Sequence, residues 1–268
     1  MAEGDIAKNR KTMNRLISFF DYSTIWGQPF ADRGWDVWPW DVKHDKGMDI
    51  NLLTDCEATL EQFDSVDGIL AAPPCTHMAV SGAQYWPAKD KDGRTAEGME
   101  LISQVLRIVD LFTPTDLDWY EEAEQAGLSW FWALENPVGR IQKLFPWLDP
   151  PMYFNPCDYA GYLNLTDHDH NELDRIRRKD GRDINREEID FVVRCEAYTK
   201  KTGLWGDFCH NLPTKPIEPV RVCRQGSPVQ IYGGASERTK ELRSYTPRGF
   251  AEAFAIANEH YIGKNSIN

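Results

Sequence analysis

Hydrophobic and polar positions alternate along the first half of the chain in blocks whose lengths suit strands and helices in turn. Leu16-Ile17-Ser18-Phe19-Phe20 is a continuous apolar run, as expected of a central parallel strand. It leads into Asp21-Tyr22-Ser23-Thr24-Ile25-Trp26-Gly27, a tight turn, and then a helix from Gln28 to about Arg33 that ends at Gly34. Val37 to Val42 predicts a second strand with Asp41 near its end, and Leu53 to Phe63 a weak helix. Ile69 to Ala72 is a short buried strand stopped by Pro73 and Pro74, neither of which can donate to a sheet ladder. From Gly93 to Phe112, Met99, Ile102, Val105, Leu106, Ile108 and Val109 recur at helical spacing. Trp130 to Leu134 is the next strand, and it ends in Glu135-Asn136-Pro137.

Strands alternating with helices predict an α/β fold, a doubly wound (Rossmann-like) sheet. Residues 138–240 break the pattern, with many prolines and aromatics and few periodic runs. Within them 167–190 is a densely charged segment, read as a solvated helix or loop, or as a phosphate-contacting insert. Lys200 to Gly206 looks like a strand returning to the core, and Pro247 to Glu259 a closing helix rich in alanine and phenylalanine. The expected organisation is a main domain of residues 1–137 and 241–268, with a small irregular insert over 138–240.

Composition narrows the class. The 268 residues are 41% hydrophobic with 10 tryptophans, enough for a large packed core. No apolar run approaches the ~18 residues of a membrane span, and the polar N-terminus lacks a signal peptide's apolar centre. Six irregularly spaced cysteines give no disulfide framework, so a reduced, cytoplasmic setting with no membrane contact is expected. Cys157, Cys195, Cys209, His210 and Cys223 contain no CxxC pair, and no metal is expected. A net charge of −12 argues against a protein that coats nucleic acid, but leaves room for a small basic face.

The candidate chemistry starts at Cys75, the first residue after the two prolines. A thiol on a stiffened turn at the carboxyl end of a buried strand stands where an open α/β sheet places its ligand crevice. The strand–turn–helix–strand–acid order from Leu16 to Asp41 is that of a mononucleotide-binding half. Pro73-Pro74-Cys75 followed by Glu135-Asn136-Pro137 resembles the C5-cytosine DNA methyltransferases, in which a PPC turn carries the nucleophile and an EN turn the acid. Ser81-Gly82 and Asp92-Gly93-Arg94 are similar to further elements of that family. The Asp21-Tyr22-Ser23 turn and the C-terminal Pro247-Arg248-Gly249 look more like a small branch common in bacteriophages. The likeness covers 16–137 well, 196–206 and 242–258 loosely, and 138–195 hardly at all.

The resemblance implies transfer of a methyl group from S-adenosylmethionine to carbon 5 of cytosine in DNA, with no obligate protein partner. Cys75 would add to C6 and make the ring an enamine, Glu135 would serve N3, and Asn136 would hold the acid or the turn. A duplex target would be flipped out of the stack. Phe20, Asp21, Tyr22 and Ser23 would wrap the methionine part of the cofactor, with Pro73 beside it. Asp41 would bind the ribose hydroxyls, and Asp49 with Ile50 would flank the adenine. Pro74, Ser81, Arg94, Arg140, Lys200, Lys201 and Thr202 are the expected DNA-side residues. The sequence departs from the family in a thinned glycine turn, in lacking a clean glutamine-arginine-arginine element, and in Gly249-Phe250 where the family has glycine-asparagine. A modified donor, a nucleotide acceptor and an inactive DNA-binding decoy are the rival readings.

Overall fold

A computed structural model describes residues 13–53, 59, 63, 66–114, 129–179, 183–221 and 244–263. The helix expected from Leu53 to Phe63 lies largely outside these residues, as does Cys223. Strands β1 (Arg15–Phe19), β2 (Asp36–Trp40), β3 (Gly68–Ala71), β4 (Phe131–Pro137), β5 (Met152–Phe154) and β6 (Thr202–Asp207) form a mixed sheet in the order β2-β1-β3-β4-β6-β5. The first four are parallel, and β6 runs antiparallel to both β4 and β5.

The sheet is covered on both faces because side chains alternate across a strand. Ile17, Ile69, Ala71 and Leu134 join one apolar cluster with Ile102, Val105 and Ile108 of α3 (Arg94–Phe112). Leu16, Leu70, Phe131 and Ala133 point the other way, to Phe30 of α1 (Gln28–Ala31) and to Phe250 and Phe254 of the C-terminal helix (Arg248–Asn258). This is an α/β architecture compatible with a Rossmann-like fold. Helix α1 is shorter than expected, and Gly34 closes its turn with φ +86°.

The segment after residue 137 is less irregular than its composition suggests. Strands β5 and β6 extend the main sheet beyond β4. The charged stretch forms two helices, Asp167–Arg177 and Arg186–Arg194, each opened by a capping box, Thr166 with Asp169 and Asn185 with Glu188. Leu173 and Ile176 of the first meet Ile189 and Val192 of the second in a third apolar cluster. Their charged faces take ion pairs, including Arg175 and Lys179 on the buried Glu188, and these hold the Glu188 carboxyl down at about 2.

The C-terminal helix is docked through its first turn. Glu196 accepts from the backbone N–H of Arg248 at 2.6 Å and of Gly249 at 2.9 Å, capping the helix from a distant segment. Phe250 lies flat on Phe154, ring centres 3.8 Å apart. None of the described helices is long and apolar enough to cross a membrane.

Candidate active site

The carboxyl ends of β1, β2, β3 and β4 share one edge of the sheet. Phe19 is paired with both Trp40 and Ala71, and Ala71 with Leu134, so the residues that follow line up as Phe20, Asp41, Ala72 and Glu135. From β1 the chain proceeds to β2 on one side, and β3 lies on the other. That reversal leaves a crevice where the loops diverge, the usual ligand position in open α/β sheets.

Two adjoining strands end at different heights there. β3 stops at Ala71, and the two prolines turn the chain away. β4 continues through Glu135, Asn136 and Pro137, held straight by β6 partners Leu204, Gly203 and Thr202. The three residues expected to follow β4 are thus part of it. Its β3-facing edge is open at this level, and Asn136 fills the gap by donating from Nδ2 to the Pro73 carbonyl at 2.9 Å. The amide is almost fully buried, and its Oδ1 has no hydrogen-bond partner among the described residues. A second tie follows. Gly139 bridges Ala79, with Val80 N–H on the Val138 carbonyl at 2.8 Å and Arg140 N–H on that of Met78 at 3.1 Å. The acid-bearing strand end and the thiol-bearing turn are joined in two places.

Cys75 opens a 3₁₀ turn, Cys75–His77, and is partly exposed. Its carbonyl accepts from the N–H groups of Met78 and Ala79, which curls the chain back towards 138–140. Glu135 is buried, and burial pushes its carboxyl pKa up, while the Lys200 ammonium works in the opposite sense. A carboxyl so placed stays protonated further up the pH scale and can donate a hydrogen bond. Cys157 and Cys195 are different. Burial drives their thiols up to about 12 and about 11, as for inert apolar residues.

On the expected cofactor side, Phe20 has φ +60°, a left-handed conformation rare for a bulky residue and characteristic of functional turns. Tyr22 is exposed, packs at a tilt against His44 with ring centres 5.1 Å apart, and lies under the Lys43 ammonium. Asp41 and Asp49 are half-buried at the same edge, each accepting from a backbone N–H two residues on. Two expectations need correction. Asp21 is buried and spends its carboxylate on Ser18, Ser23 and the Gly27 N–H, so it builds the turn rather than facing a ligand. The Ile50 side chain is in the core.

The expected DNA-side residues divide likewise. Pro74, Ser81, Arg94 and Lys201 are exposed and Lys200 half-buried, but Thr202 is buried and donates to the Lys200 carbonyl. Arg140 is also turned inward. Its guanidinium pairs with Asp90 at 2.7 Å, donates to the Thr95 hydroxyl and the His77 carbonyl, and stacks on Trp86. It therefore braces the loop after Cys75 instead of reaching for phosphate. No protein-family model matches the chain, and no curated protein does.

Sequence reasoning missed that brace and the glycine beside it. A Cβ on Gly139 would sit 2.0 Å from the Met78 carbonyl oxygen, so the close approach of 138–140 to 78–80 requires glycine there. It also missed Lys89, in the short helix α2 (Trp86–Lys91). A lysine followed by Asp90, Lys91 and Asp92 gives no sign in sequence that it is buried.

Proposed function

We propose that the protein transfers a methyl group from S-adenosylmethionine to carbon 5 of cytosine in DNA. The observation that carries the reading is the junction of Cys75 and Glu135. A partly exposed thiol on a rigid turn and a buried, proton-retaining carboxyl stand on neighbouring strand ends, tied by Asn136 to Pro73.

Carbon 5 of cytosine is a poor nucleophile until something adds across the 5,6 bond. The Cys75 thiolate adds at C6, and the electron pair released into the ring makes C5 reactive. Negative charge then gathers towards N3, where the Glu135 carboxyl supplies a proton or a strong hydrogen bond. Asn136 keeps the two groups at a fixed spacing. After transfer a base removes the C5 proton and the Cys75–C6 bond breaks, restoring the thiolate. The cofactor, when bound, provides the electrophilic methyl. Phe20, Tyr22, Ser23, Asp41 and Asp49 are the residues that would hold it, the two carboxylates suiting vicinal hydroxyls. Asp21 and Ile50 would act only through the shape of the turns.

DNA as acceptor draws support from the surface near these ends. Lys201 lies 4.2 Å from the centre of the exposed Tyr153 ring, and Tyr85 and Trp147 are exposed as well. Cations beside open aromatic faces suit a nucleic-acid strand with an unstacked base.

The test is nucleoside mass spectrometry on DNA from cells expressing the protein, beside a Cys75→Ala control. 5-Methylcytosine that disappears with Cys75 is the expected result. A different mass added to cytosine would overturn the donor, and no Cys75-dependent base at all would overturn the activity.

A further inference from the structure

Lys89 is a buried charge with little to balance it. It is 6% exposed, and its Nζ donates to the carbonyl oxygen of Thr76 at 2.5 Å. No carboxylate lies within ion-pair distance of it among the described residues. Taking an ammonium out of water is costly unless a compensating charge is near. The carbonyl it holds belongs to the residue directly after Cys75.

We infer that the Lys89 ammonium is a positioning residue for the nucleophile: it pins the turn through Thr76 and supplies the positive charge that keeps Cys75 a thiolate. This rests on the reading of Cys75 as nucleophile. The other charges around the pair are mostly of the same sign. Arg94 and Arg140 face Lys89 with Asp92 opposing them, while His77 is faced by Lys89, Arg94, Asp92 and Glu97. Burial, then Arg94 and Arg140, pushes the Lys89 ammonium below the usual lysine value, and Asp92 and the Cys75 charge push it back. His77 is lowered by burial and by Lys89, so its imidazole tends to be neutral; Arg94 and Arg140 are paired with Asp92 and Asp90, which leaves Lys89 the cation here with no carboxylate partner among the described residues. Trp86, stacked under Arg140, and the Arg140–Asp90 pair hold α2, and with it the backbone of Lys89, against the turn.

A cation beside a thiol favours its charged form. The experiment is the pH dependence of Cys75 alkylation by iodoacetamide, read at the Cys75 peptide by mass spectrometry so that other cysteines do not enter. Lys89→Gln, which keeps a donor for Thr76 but no charge, should move the midpoint up and slow the reaction about tenfold below it. Lys89→Arg should restore the wild-type midpoint. An unchanged midpoint in Lys89→Gln, or equal shifts in both variants, overturns the inference. Should Lys89→Gln not fold, the wild-type protein gives the reciprocal measurement, the NMR titration of the Lys89 side chain before and after Cys75 is capped as its uncharged carbamidomethyl derivative. The Lys89 midpoint should fall on capping, and no change overturns the inference. Because alkylation needs no methyl donor or DNA, a shifted Cys75 midpoint in a protein that methylates nothing would uphold Lys89 and sink the proposed activity.

Discussion

The side-chain amide of Asn136 donates to the main-chain carbonyl of Pro73 at 2.9 Å, across 63 residues of sequence. This bond joins the strand that bears Glu135 to the turn that bears Cys75. Removing it in Asn136→Ala leaves a buried carbonyl without its donor, at a cost of about 1–3 kcal/mol. Methylation should fall more than stability requires, by about 100-fold, because small displacements of reacting groups are expensive. Urea unfolding and the yield of modified cytosine, measured on the same preparation, separate the two effects.

Glu135 predicts a pH dependence with a definite sign. Burial raises its pKa in the folded protein, so folding takes up a proton once pH passes the ordinary carboxylate range. Wild-type stability relative to Glu135→Gln should therefore decline with rising pH until the folded pKa is passed, and level off beyond it. Paired melting curves from about pH 4 to about pH 9 give the comparison. Methyl transfer should fall on the alkaline side in the wild type, whereas Glu135→Gln should be slow throughout, by about 100-fold or more.

Gly139→Ala should damage the site without touching a reacting group. The new Cβ would meet the Met78 carbonyl at 2.0 Å, a backbone atom that cannot rotate aside. Separation of 138–140 from 78–80 should cost about 1–3 kcal/mol and most of the activity. Limited proteolysis near Ala79 should speed up in the variant and not in the wild type.

Arg140→Lys tests the brace. One ammonium cannot reproduce the planar set of bonds to Asp90, Thr95 and His77, nor the stacking on Trp86. A loss of about 1–2 kcal/mol is expected, with methylation reduced and its salt dependence unaltered. A residue in direct contact with phosphate would instead flatten the salt dependence of DNA binding.

The resemblance to the C5-cytosine methyltransferases leads to the expectation of asparagine after Gly249, where the chain has Phe250. Here it is fully buried against Phe154, Trp26 and Tyr159. Phe250→Asn should therefore destabilise the protein by about 3–5 kcal/mol, through a cavity and an unpaired amide, and confer no tighter cofactor binding. Calorimetric melting and cofactor titration of the variant would show both.

Much of the central sheet was legible from the chain. β1, β3 and the first part of β4 are short apolar runs with both faces buried, and α3 repeats its apolar residues at helical spacing over 19 residues. The prolines after β3 and the Glu-Asn-Pro at the end of β4 marked the candidate site for the same reason: stiff or polar residues at strand ends are conspicuous beside apolar runs. The helices at 167–177 and 186–194 were not, because each buries only a narrow apolar stripe and charge hides it. Their capping boxes were the available signal. β5, with three residues, gave none.

Local sequence determined which segments form strands and helices, and which residues carry candidate chemistry, since apolar periodicity and turn chemistry act over a few neighbouring residues. Only the tertiary structure decided that β6 runs against β4, that Asp21, Ile50, Thr202 and Arg140 turn inward, and that Lys89 is buried beneath the Cys75 turn. These outcomes depend on contacts such as Arg140 with Asp90, 50 residues apart, whose energies exist only once the chain has closed on itself.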